Sequence, residues 1–402
     1  MNTGRVRLFE SRAIGLFCLL VLTVPLVSCN KAPEETVPEI AISESPAVGL
    51  TEQERSLIES VEAAGDYVIR YQLSNGELPY RVDVTTGDRD YSPSHIRLIA
   101  GTGSLFTACR VTGDTKYCVA GDQALEYYLS RLIEGGEKFR GLCLYSRGYC
   151  KIGGAALAVD AIYRRWRATG DTVLDGNELL GVALQLGEHI VWMRNPEGGF
   201  FHRLDPFEGT VDEEYYVTYF NGESVLALLE LFEMSGDQYW LDQAREVNSY
   251  MVQQPITEDH WHSYAFSFLS RLDELSQEDS AYAIRIAEAI VNNESNLEEG
   301  HSSISTATKV EALAAIALAF QAQGDPHVWL EQAVNEHAAF VMARQLPSNL
   351  CGWDPSDGIE RFIGGIYHSC EEPYVRVDAL QHWINGAAIY LEYLGYTFPA
   401  SH

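Results

Sequence analysis

The chain has 402 residues, nearly half of them apolar, and carries 57 Asp and Glu against 28 Lys and Arg, a formal net charge of −29. So acidic a surface is repelled by phosphate backbones and by anionic lipid, which argues against nucleic acid as a partner and leaves any membrane attachment to something other than the surface. No H-E-x-x-H, G-x-S-x-G, G-x-x-x-x-G-K-[ST] or strand-borne G-x-G-x-x-G occurs, so zinc-protease, serine-hydrolase, P-loop and dinucleotide chemistry all lack their signatures.

At the N-terminus, Arg5, Arg7 and Arg12 precede the apolar run Ala13 to Leu26. At about 14 residues it falls short of the roughly 20 that a spanning helix needs, so residues 1–28 read as a cleaved export signal; an uncleaved anchor helix is the alternative. The ending Leu26-Val27-Ser28-Cys29 resembles the bacterial lipobox. That resemblance implies lipidation of Cys29 and an exported protein held to the membrane by acyl chains. Asn30, by its similarity to the enterobacterial sorting rule, implies the outer membrane, on its periplasmic or surface face. Residues 29–50, rich in Pro, Glu and Ser without period, read as the lipidated cysteine and a disordered tether. The folded domain is expected over 51–402.

Helical periodicity then predicts twelve segments, at 51–72, 95–112, 115–134, 151–169, 174–194, 221–235, 237–253, 259–273, 279–294, 306–323, 326–345 and 376–395. Those beginning near 95, 151, 221, 259, 306 and 376 are rich in Ala, Gly and Leu, as inner helices would be; their partners carry a charged face. Four junctions repeat a Gly-Asp turn. Gly113, Gly170, Gly236 and Gly324 suit a left-handed helix end, and Asp114, Asp171, Asp237 and Asp325 suit caps for the helix that follows. Gly101-Thr-Gly103 lies inside a predicted helix, where it suits close packing. Six cysteines remain beyond Cys18 and Cys29, in three local couples: Cys109 with Cys118, Cys143 with Cys150, and Cys351 with Cys370. Local disulfides are the best of fifteen pairings, and no Cys/His spacing indicates a metal.

Small-residue inner helices ringed by amphipathic outer ones predict an all-α fold, an (α/α)6 toroid of six helical hairpins, with an open α-solenoid as the alternative. The alternation, the Gly-Asp turns and the phrase EGGFFHRLD ahead of an inner helix resemble the six-hairpin glycosidase superfamily. The resemblance implies that fold over nearly the whole mature domain, and implies carbohydrate chemistry without specifying one activity.

In such a toroid the N-terminal ends of the inner helices open into one funnel. The residues there are His95 and Arg97, then Lys151, then Tyr216, Tyr219 and Glu223, then Asp259, His260 and Trp261, then Lys309 and Glu311, and last Arg376, Asp378 and His382. Glu223, Asp259, Glu311 and Asp378 are the candidate catalytic carboxyls, with Glu223 and Asp259 the preferred pair; the others are candidate substrate-binding groups. On a helix, residues two apart diverge by about 160°, so Arg376 with Asp378, or Lys309 with Glu311, should point apart. Two carboxyls for acid and base roles, rings for stacking and cations for an acidic sugar suit a glycan substrate. Tyr80, Tyr145, Phe200, Phe201, His202, Trp353, Tyr367 and His368 add loop aromatics. The expected reaction is hydrolysis of an oligo- or polysaccharide, with lyase or epimerase chemistry next, needing no cofactor and no metal. The alternative is a non-catalytic lipoprotein whose toroid binds a glycan or a protein partner in envelope assembly.

Overall fold

The ends of the helices are written in their capping residues. Thr51 and Ser276 each close a capping box, with Glu54 and Asp279 respectively, and Asp114 and Asp237 accept backbone N–H bonds at the starts of their helices. Gly113, Gly170, Gly236 and Gly324 all adopt positive φ, between 70° and 75°, which a glycine takes without the cost a side chain would bring.

The computed structural model describes residues 49–92, 94–354 and 358–399. The export signal, the lipidation site Cys29 and nearly all of the tether lie outside the described residues. Among those described, the helices are α1 Glu52–Tyr71, α2 His95–Thr112, α3 Thr115–Leu129, α4 Ile152–Thr169, α5 Leu179–Trp192, α6 Phe220–Ser235, α7 Gln238–Met251, α8 His260–Arg271, α9 Gln277–Asn292, α10 Ser303–Ala322, α11 Val328–Met342 and α12 Val377–Tyr393. The even-numbered helices pack side by side in the order α2, α4, α6, α8, α10, α12, and α12 returns to α2. That closure makes an (α/α)6 toroid and rules out the open solenoid. The odd-numbered helices lie outside, and residues Leu50–His402 form one unit. α10 is long and apolar enough to cross a membrane by composition, yet it is mostly buried as a wall of the ring.

Short strands sit among the long outer-to-inner loops: β1 Arg81–Asp83, β2 Arg89–Asp90, β3 Leu132–Glu134, β4 Leu142–Ser146, β5 Tyr149–Lys151, β6 Val173–Leu174, β7 Asn177–Glu178, β8 Arg203–Asp205, β9 Thr210–Val211 and β10 Tyr374–Arg376. They form antiparallel sheets of order β10-β1-β2, β3-β4-β5-β8-β9 and β6-β7. These correct the reading of 115–134 and 174–194 as unbroken helices. α3 stops at Leu129 and the chain turns into β3, while the β6-β7 hairpin occupies the start expected for α5. Asp171 therefore accepts from Val173 N–H in that hairpin, and Glu178 caps α5 instead. Asp325 caps nothing, since α11 starts after His327.

The three local cysteine couples are disulfides, Cys109–Cys118, Cys143–Cys150 and Cys351–Cys370. The first staples α2 to α3 across a Gly-Asp turn. The second ties β4 to β5.

Close approach of the inner helices depends on glycine. A Cβ on Gly101 would come within 2.6 Å of Val377 Cγ2 on α12, and one on Gly103 within 3.1 Å of Arg164 on α4. Gly153 of α4 lies against Phe220 and the Glu223 carboxyl of α6, Gly222 of α6 against His262 and the Asp259 carboxyl, and Gly386 of α12 against Val310 and Glu311 of α10. Replacing Gly101 by Ala forces overpacking at the α2–α12 seam; a loss of about 1–3 kcal/mol in denaturant unfolding is expected, and an unchanged midpoint would show that the seam is not close-packed.

Candidate active site

Because every inner helix starts at the same mouth, their first turns surround one cavity of about 680 Å³. β5 runs straight into α4 and β10 straight into α12, so Lys151 and Arg376 occupy extended positions just ahead of their helices. His95, Arg97, Lys151, Tyr219, Glu223, Asp259, His260, Trp261, Lys309, Arg376, Asp378 and His382 all line this cavity. Of the expected residues, Tyr216 does not. It is 65% exposed and stacks on the buried His202, 4.8 Å between ring centroids. Glu311 lies behind the lining, fully buried, and touches the cavity through the histidines in front of it.

The four carboxyls have different surroundings. Asp378 is held by both Nε and Nη2 of Arg376, each at 2.6 Å, with Arg97 at 3.3 Å. Burial alone would push its carboxyl up, but Arg376 overrides this and keeps it below the usual range. The expected divergence of Arg376 and Asp378 fails here, because Arg376 is in a strand and only Asp378 is helical. Asp378 is therefore an ion-pair partner and no proton carrier. For Lys309 and Glu311, both inside α10, the divergence holds. Lys309 pairs with Glu258 at 2.5 Å, and Glu311 turns inward.

Glu223 sits in the first turn of α6 with a buried oxygen, Oε2, that has no hydrogen-bond partner. Burial, then the neighbouring Asp259, pushes its pKa well above the carboxylate range. Asp259 is the N-cap of α8, its Oδ1 accepting from Trp261 N–H at 3.0 Å, while Oδ2 is buried with no hydrogen bond of normal geometry among the described residues. Burial raises it to about 7, against the pull of the backbone N–H groups of His262 and Trp261.

Glu311 is the centre of the third arrangement. Its Oε1 accepts from Tyr264 Oη at 2.9 Å, its Oε2 lies 2.7 Å from His382 Nδ1, and His260 Nε2 is 3.5 Å away. The two imidazoles meet edge to face, 4.8 Å apart. Burial pushes Glu311 upward, with His382 and Tyr264 restraining the rise. Burial, then His382 and Lys309, drives His260 well below its ordinary pKa, and its Nε2 has no hydrogen-bond partner among the described residues. His382, its Nδ1 held by a carboxylate, thus has the arrangement of an oriented imidazole base, with the uncharged and weakly basic His260 packed beside it. The same three ligand atoms lie within 4.8 Å of one another, close enough to hold a metal ion.

Arg147, from the turn between β4 and β5, and Tyr149, at the start of β5, also line the cavity, and sequence reasoning missed both. The Arg-Gly turn between paired cysteines was the available signal. Tyr264 was missed as well, though it follows His260 by one helical turn on α8. His95 Nδ1 is engaged by the Tyr145 carbonyl at 3.0 Å. Among the loop aromatics, Phe200, His202 and Tyr367 are buried and serve packing rather than the mouth.

No family model matches the chain, and no curated protein does. Solved structures share the fold. An unsaturated glucuronyl hydrolase specific for heparin is 12% identical, with 84% of this chain and 98% of that one covered and a TM-score of 0.62. The cellobiose 2-epimerase from Bacillus thermoamylovorans is 12% identical, covering 84% and 99%, at 0.62, and a D-mannose isomerase is 13% identical, covering 88% and 100%, at 0.60.

The raised pKa of Asp259 has a consequence for stability. With a folded value of about 7 above an unfolded value near 4, its protonated form stabilises the fold at low pH, and that contribution is lost as pH rises between the two. Asp259→Asn keeps the capping oxygen and removes the titration. In thermal or denaturant unfolding it should equal the wild type near pH 4 and exceed it at pH 8 by roughly 2–4 kcal/mol; a pH-independent difference would contradict the burial of this group.

Proposed function

We propose that the protein is a carbohydrate-processing enzyme that moves a proton on and off a sugar carbon next to a carbonyl or carboxyl group, which is isomerase or epimerase chemistry. The observation that carries this reading is the His260–Glu311–His382 cluster at the cavity floor. His382, oriented by Glu311, takes the proton from carbon while Glu223 donates one to the oxygen on which charge builds; the protonated His382 then returns a proton to carbon and Glu223 recovers its own from that oxygen. Tyr264 fixes one Glu311 oxygen so that the other faces the histidines. The fold neighbours, which include a hydrolase, an epimerase and an isomerase, fit carbohydrate work of this kind.

Hydrolysis, the expectation from sequence, needs a proton donor and an ionised carboxylate across the scissile bond. Here Asp378 is bound by two arginines, and Glu311 is engaged by Tyr264 and His382. Glu223 and Asp259 are both pushed toward neutrality. One observation still favours hydrolysis as the second reading: with a pKa of about 7, Asp259 is partly ionised at neutral pH beside Glu223, whose pKa is raised.

In the same proposal the enzyme works outside the cytoplasm, tethered through a lipidated Cys29. Three disulfides suit an oxidising compartment.

Incubation of the protein with reducing disaccharides and uronate oligosaccharides in deuterium oxide tests the chemistry. The expected result is deuterium at a single sugar carbon, read by mass spectrometry and NMR, with the rate lowered about 10²–10⁴-fold in Glu311→Gln and in His382→Asn. New reducing ends without carbon-bound deuterium would install the hydrolytic reading instead. Saturable binding with neither product would make the toroid a binding module.

A further inference from the structure

The chain as a whole has about one cation for every two carboxyls, 28 against 57. The cavity inverts this. Arg97, Arg147, Lys151, Arg203, Lys309 and Arg376 line it against Glu223, Glu258, Asp259 and Asp378. An acidic protein that gathers cations into this opening creates a local field opposite to that of its surface.

Four of the six have partners. Arg97 and Arg376 share Asp378, Lys309 holds Glu258, and Arg203 holds Asp212. Lys151 and Arg147 have no carboxylate within ion-pair distance among the described residues. Lys151 Nζ lies over the Tyr215 ring, 5.1 Å from its centroid, with Arg203 stacked on the same ring at 4.2 Å. Arg147 is held at φ 52°, a conformation that side chains other than Gly rarely adopt, in a turn stapled by Cys143–Cys150. A glycine would fit that backbone without strain, so the arginine is kept there for its side chain.

We propose that the saccharide entering this cavity carries an acid group, a carboxylate or sulfate, bound by Lys151 and Arg147 on the β4-β5 wall while the reacting sugar lies over His260 and His382. This rests on the proton-transfer reading above and names its substrate class. For a uronate, the acid group held by these cations is also the one that makes the neighbouring C–H acidic.

The test is calorimetric binding of three probe sets to the full chain: hexuronate oligosaccharides, the same oligosaccharides with carboxyls reduced to alcohols, and neutral oligosaccharides bearing sulfate. The charged probes are expected to bind at least about tenfold more tightly than the reduced ones at about 50 mM salt, and this preference to shrink at about 0.5 M. Whichever charged set binds more tightly identifies the acid group. Lys151→Met and Arg147→Gly should each lower the preference by about tenfold or more, and Arg147→Gly should do so with unchanged or increased thermal stability, since it relieves the left-handed φ. Equal affinity for charged and reduced probes, or no binding of any charged probe, overturns the proposal. The two readings fail separately. Deuterium exchange on reduced probes with no charge preference removes the acid subsite alone, and charge-selective binding without exchange removes the proton-transfer chemistry alone.

Discussion

The close spacing of the inner helices is the constraint on which the site depends. Glycines at 101, 103, 153, 222 and 386 let neighbouring inner helices approach until backbone meets side chain, and three of those contacts fall on Glu223, Asp259 and Glu311. The ring therefore does more than enclose a cavity. By seating carboxyls against the backbone of the next helix it removes them from water, and removal from water sets their protonation. The pKa of Glu223 is pushed up by its burial and by the neighbouring Asp259, more than the nearby Arg97 pulls it down.

The same packing separates the funnel into two kinds of wall. The α8–α10–α12 side carries the buried histidines and Glu311, and there burial drives the pKa of His260 down. Across from it, the β4-β5 hairpin, tied by a disulfide and leading directly into α4, carries Arg147 and Lys151, which have no carboxylate within ion-pair distance among the described residues. A base on one side and a fixed positive field on the other suit a reaction in which negative charge develops on a sugar oxygen.

Much of the scaffold was legible in the sequence because it rests on local patterns. Small residues repeat along every inner helix, Gly-Asp marks inner-to-outer turns, and each disulfide closes a short loop. Eleven of the fourteen funnel residues named from sequence line the cavity together with Asp378, leaving Tyr216 beside it and Glu311 behind it. What was not legible is what depends on distant pairings. The strands are only two to five residues long, and two of their pairings, β5 with β8 and β1 with β10, join loops far apart in the chain. The strand just before α12 also turned Arg376 toward Asp378, taking away a carboxyl that helical geometry had left free. The partnership of His260, Glu311 and His382 joins three inner helices, and no spacing in the sequence announces it.

The central claim is that the closed ring keeps His260 uncharged beside the carboxylate-held His382, the base of the pair. Imidazole nitrogen NMR of the ¹⁵N-histidine-labelled protein, titrated between about pH 5 and 8, reads those protonation states directly. The account predicts that His260 shows neutral-imidazole shifts throughout, and that Glu311→Gln changes the Nδ1 signal of His382. A His260 that protonates with a midpoint near the ordinary value of about 6.5 would contradict it.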